Sequence, residues 1–187
     1  MNAETTRQAG PITDLDILNY ALQLEHLEAA FYNQGLRQYS SSDFAQAPLF
    51  NQLGEVAALD AYSYLSIIRA HENAHVRSLT AALRGFGATP VSACTYNFTY
   101  ASIAEFLRVA QTLENTGVSA YNGVIGQINS PSIRTSAATI ATVEARHAAY
   151  LNVLNDQLAA SSSFDAPKSM TDILAAIAPF LQSCPAA

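Results

Sequence analysis

"RAHENAH" (residues 69–75) admits two readings, and the choice between them decides the fold. As His71-Glu72-x-x-His75 it is the zinc-protease motif HExxH, with two histidine ligands and Glu72 as general base. As Glu72-x-x-His75 alone it is half of a two-metal site inside a helical bundle, and His71 is a bystander. "EARH" (144–147) repeats the second pattern with Glu144 and His147. With four His and eight Glu in the chain, chance predicts about 0.2 such pairs, and two are present. Spacing i, i+3 puts both side chains on one helix face, so one helix can offer a carboxylate oxygen and an imidazole nitrogen together.

Two further helical stretches carry a matching signal. "EHLEAAFY" places Glu25 seven residues before Tyr32, and "ENTGVSAY" places Glu114 seven residues before Tyr121. Around each glutamate the same face is apolar. Leu65, Ile68, Val76 and Leu79 flank Glu72; Leu107, Ala110, Gly117 and Val118 flank Glu114; Ala137, Ile140, Ala141, Ala148 and Leu151 flank Glu144. Each carboxylate therefore stands where a core leucine is expected. Four carboxylates in one core repel one another and resist ionisation unless cations neutralise them. Two divalent ions balance four carboxylates, and two histidines give each ion one nitrogen. The order Glu, ExxH, Glu, ExxH is the ligand order of di-iron and di-manganese bundles. Carboxylate and imidazole ligation without thiolate suits iron first and manganese second.

The rest of the chain is helical in period, with strand signals nearly absent. Residues 1–12 read as a polar arm. Thr13 with Asp16 caps a helix reaching about Tyr39, and a Ser- and Pro-containing loop with room for a short helix follows. A second helix covers about 59–85, an extended crossover 87–101, a third helix opens at Ser102-x-x-Glu105, and a fourth runs from Pro131 to about 159. Residues 13–160 thus form an all-α four-helix bundle with a long crossover. Residues 161–187 form a linker, a short fifth helix over 172–182 capped by Thr171, and a tail packed on the bundle.

Composition excludes other classes. The 187 residues carry nine Lys and Arg against fifteen Asp and Glu, for a net charge of −6, which argues against nucleic-acid binding. No run of eighteen apolar residues offers a membrane span. The N-terminus lacks an apolar signal region. Cys94 and Cys184 can be a disulfide or two free thiols. "NFT" (97–99) is a glycosylation sequon, usable only in a secretory pathway.

The stretches "DILNYALQLEHLEAAFY", "RAHENAHV", "CTYNFTYASIAEFL", "LENTGVSAYNG" and "EARHAAYL" cover most of residues 13–155. As a set they resemble the ferritin-like superfamily, and within it the family that includes plant desiccation-related and fungal stress-response proteins. The resemblance implies a ferritin-like bundle whose metal ligands are Glu25, Glu72, His75, Glu114, Glu144 and His147. It also implies a secretory leader removed from the mature protein, which favours the Cys94–Cys184 disulfide. The expected function is reaction of two metal ions with O2 or H2O2, as an oxidase, ferroxidase or peroxide scavenger linked to stress. A small molecule is a further expected partner, in a monomer or dimer. The alternative is a non-catalytic stress or structural protein that uses metals for stability.

Several residues have a second reading. Tyr32 and Tyr121 are either core aromatics or donors to ligand carboxylates across the bundle. Glu28 competes with Glu25 and is otherwise a neighbour of the site or an extra ligand. His26 points away, toward surface or loop, and His71 sits at the edge of the inward face, either a bystander or a neighbour that touches the site. Arg69 and Arg146 read as surface salt-bridge residues. Gly117 and Gly123 mark close helix contact or room for a small molecule. A protease needs a third ligand downstream of His75; the only histidine there is His147, already matched to Glu144.

Overall fold

The computed structural model describes residues 11–51 and 54–185. The N-terminal arm lies almost wholly outside them. The long helices are α1 (Asp14–Gln38), α3 (Gly54–Gly85), α4 (Ile103–Val124) and α5 (Pro131–Leu154); the short ones are α2 (Ser41–Ala45) and α6 (Met170–Ile177). Helix α1 packs mainly on α3, α4 on α5, and the two pairs join through α1 and α4. The all-α ferritin-like bundle read from the sequence is the fold observed.

Local chemistry sets the helix ends. Thr13 and Asp16 form the reciprocal capping box that opens α1. At α4 the box is half formed: the Ser102 side chain accepts from the Glu105 N–H, while Glu105 accepts from the Ala101 N–H at 2.6 Å. Helix α5 stops at Leu154 rather than near 159, because Asp156 takes the left-handed conformation (φ 59°), which acidic and amide residues tolerate best. Helix α3 starts earlier than expected, at Gly54. Ser169, not Thr171, caps α6, and the segment past Ile177 becomes a 3-10 turn and a strand.

That strand, β2 (Leu181–Ser183), pairs antiparallel with β1 (Thr95–Tyr96) in the crossover. Beside the ribbon, Cys94 and Cys184 form a disulfide, closing a 90-residue span. Asn97 is exposed, and its N–H donates to the Phe180 carbonyl. The crossover is also seated by aromatic packing: the Phe31 ring lies 5.1 Å from Phe98 and 4.8 Å from Phe106, centroid to centroid. A Cβ on Gly35 would collide with the Phe106 ring, so glycine is required there for α1 and α4 to approach. Among the described residues, no helix is long and apolar enough to cross a membrane.

Candidate metal centre

Glu25, Glu72, Glu114 and Glu144 each have 0% exposure, at the positions where the apolar stripes run inward. Glu25 comes from α1, Glu72 and His75 from α3, Glu114 from α4, and Glu144 and His147 from α5. Their atoms form two overlapping groups that could each hold a metal ion: Glu25, Glu72, His75 and Glu144, then Glu72, Glu114, Glu144 and His147. Glu72 and Glu144 belong to both.

The spacing within each group tests the fit to an ion. His75 Nδ1 lies 3.1 Å from Glu25 Oε2, 3.1 Å from Glu72 Oε2 and 3.0 Å from Glu144 Oε1. His147 Nδ1 lies 3.1 Å from Glu72 Oε1, 3.2 Å from Glu114 Oε2 and 3.7 Å from Glu144 Oε2. Neighbouring donors about 2.1 Å from a common ion stand about 3 Å apart, so these edges match a cation's coordination shell. Buried polar atoms normally find well-aligned hydrogen bonds, yet Glu72 Oε1 and both Glu144 oxygens have none, meeting only imidazole nitrogens whose proton is directed elsewhere. The donor set and its orphaned oxygens fit two metal ions.

The tyrosines cross the bundle reciprocally. Tyr32 Oη of α1 donates to Glu114 Oε1 of α4, and Tyr121 Oη of α4 donates to Glu25 Oε1 of α1, each at 2.6 Å. Burial and the adjacent carboxylate hold both phenols protonated, well above their usual range. Each fixes one carboxylate oxygen and leaves the other facing the group. Tyr32→Phe or Tyr121→Phe is expected to cost about 1–3 kcal/mol of unfolding free energy by urea titration, since each strips a buried carboxylate of a donor.

His71 is neither a co-ligand of His75 nor idle. Its Nδ1 faces His147 Nε2 at 3.0 Å, and the two rings stack with centroids 5.2 Å apart. Its own burial and the neighbouring His147 lower the pKa of His71, so it stays neutral and accepts from His147 Nε2–H. His147 thereby turns Nδ1 toward the carboxylates. With Glu72 wholly buried, the protease arrangement is not present. His26 faces the crossover, its Nε2 3.3 Å from the Val91 carbonyl. Arg69 and Arg146 reach no site carboxylate; exposed Arg146 donates to the Thr142 carbonyl. They form no ion pair among the described residues. Gly123 is a close contact: a Cβ there would strike the Lys168 carbonyl.

The His75 side chain is 12% exposed. A groove of about 460 Å³, lined by Leu79, Ile133 and Ile140 among others, begins one helical turn from His75 and Glu144.

Without metal the charges are held by protons. Burial, then the neighbouring Glu144 carboxylate, raises Glu25 and Glu114 well above the usual carboxylate range. Burial would lower His75 and His147, but hydrogen bonds to the carboxylates outweigh it and push both up to about 12. Burial would raise Glu144, yet the two imidazoles bring it down to about 2. The raised groups stabilise the fold below their unfolded values, and that contribution is lost as pH rises toward their folded values. Glu144 acts oppositely, contributing above its unfolded value and losing that as pH falls toward about 2. The metal-free protein is therefore expected to melt highest at about pH 4.5, to lose stability above it as Glu25 and Glu114 resist ionisation, and to lose it more steeply above about pH 6.5 as the imidazoles join them. Metal ions displace those protons, so their affinity should rise over the same alkaline range. Melting curves with and without chelator check both.

Comparison with known proteins identifies the fold and the family. In the solved structures, a conserved hypothetical protein, rv2844, from Mycobacterium tuberculosis superposes with a TM-score of 0.53 at 23% identity, covering 81% of this chain and 96% of that one. That likeness concerns the fold. Protein rds1 of Schizosaccharomyces pombe is 25% identical over 178 residues, covering 94% of this chain; the chain spans 42% of that relative's length. The profile of the ferritin-like domain matches residues 13–157. Carrying that match over most of its length, the chain belongs to the ferritin-like domain family.

Proposed function

We propose that the protein is a two-metal carboxylate oxidoreductase whose ions, iron or manganese, react with O2 or H2O2. The observation that carries this reading is the sharing of Glu72 and Glu144 between two four-donor groups. Carboxylates shared in this way would hold two ions close together, which would suit a two-electron reaction with a dioxygen species. When bound, the ions supply the redox chemistry. The chain supplies the rest. Glu25 and Glu114 close the two positions from α1 and α4, His75 and His147 provide the nitrogens, and Tyr32 and Tyr121 hold the terminal carboxylates. The apolar stripes that flank the glutamates keep water from most of the centre, and the groove one helical turn from His75 would offer entry to a small molecule. The disulfide and the exposed sequon support a secreted protein.

The test is anaerobic reconstitution with ferrous ion followed by O2 or H2O2. About two ions per chain and consumption of one of these oxidants are expected. A chain that stays metal-free would sink the reading. A loaded protein that consumes neither oxidant would leave the metals a structural role.

A further inference from the structure

The two halves of the centre match almost residue for residue. Glu25, Tyr32, Glu72 and His75 in the first half correspond to Glu114, Tyr121, Glu144 and His147 in the second. The match fails three residues past the first glutamate. Position 28 is Glu, and its counterpart three past Glu114 is Gly117. These two positions meet: a Cβ on Gly117 would lie 3.0 Å from Glu28 Oε1. Glu28 thus occupies space that its counterpart leaves by having no side chain.

Glu28 is 3% exposed, with no hydrogen bond or ion pair found for it among the described residues and only a trace of solvent at its oxygens. A buried, unpartnered carboxylate is costly, and its neighbours make it more so: burial first, then Glu144, Glu114, Glu25 and Glu72, push its pKa up. Packing alone would favour leucine here. We propose that Glu28 is a fifth carboxylate of the metal centre, reaching the ions from the α1/α4 side, opposite the helices that supply the histidines. Its ligand is the metal pair itself, so the inference rests on the two-metal reading above. Four carboxylates neutralise two divalent ions; the fifth suits the centre to a higher total charge, as when one ion is trivalent.

Cobalt(II) titration of the full chain provides the test, because its visible absorption reports coordination number as well as binding. Glu28→Gln keeps size and removes the charge. It is expected to keep binding two ions, with affinity lowered about tenfold and visible absorption strengthened as coordination number falls. Gly117→Ala should shift the spectrum in the same direction, because the added methyl displaces the Glu28 carboxylate. If Glu28 were only a core residue, Glu28→Gln would raise the melting temperature of the metal-free chain and leave the cobalt spectrum and affinity unchanged. That result overturns the proposal. Failure of the wild-type chain to bind cobalt at all would instead strike at the two-metal reading.

Discussion

Glu144→Ala is expected to take the reconstituted protein from about two bound ions per chain to none. Glu144 gives Oε1 to the group around His75 and Oε2 to the group around His147, so one substitution opens both. Glu25→Ala, by contrast, removes a donor from the first group only, and about one ion should remain. The contrast between the variants is the informative result, since misfolding alone would not separate them. The metal-free chain should also suffer from Glu144→Ala, by about 3–5 kcal/mol, because two imidazolium groups lose a buried counter-charge. Elemental analysis and urea melts on both variants check these outcomes. Equal metal loss in the two would mean that the ions are not held by shared carboxylates.

Reduction of the Cys94–Cys184 bond, or its replacement by serines, should cost about 4–5 kcal/mol, the chain entropy released by opening a span of 90 residues. The loss should appear as a lower urea midpoint. Metal content should hold, because the bond ties the crossover to the C-terminal tail and touches none of the six candidate ligands. A loss under about 1 kcal/mol would mean that the aromatic seat around Phe31 and Phe98 holds the crossover without help.

The bundle and its inward glutamates were legible because both follow from helical period, and a carboxylate in a leucine's place is conspicuous. The tyrosine partners were foreseen as possible donors for the same reason. Other contacts join residues that no local pattern relates. His71 meets His147 across a separation of 76 residues. The α5 N-terminus is tethered when Asp14 accepts from the Asn129 and Ser130 N–H groups at 2.8 Å. The ribbon escaped because strands of two and three residues leave no alternation to read. With two cysteines, sequence alone could not choose between bond and free thiols. The role of Glu28 stayed open because its meaning lies in Gly117, on another helix.

Neither ion position is complete within one helical pair. The pair α1 and α3 supplies three donors to the first position and needs Glu144 from the other pair; α4 and α5 supply three to the second and need Glu72. Loaded, the centre would add a pair of reversible cross-links to the apolar packing, the reciprocal tyrosine–carboxylate bonds and the Asp14 tether that already join the two hairpins. Pulled apart mechanically, the metal-free chain should part along the α1/α4 seam at low force. The loaded chain should resist until an ion is torn from one of its shared glutamates.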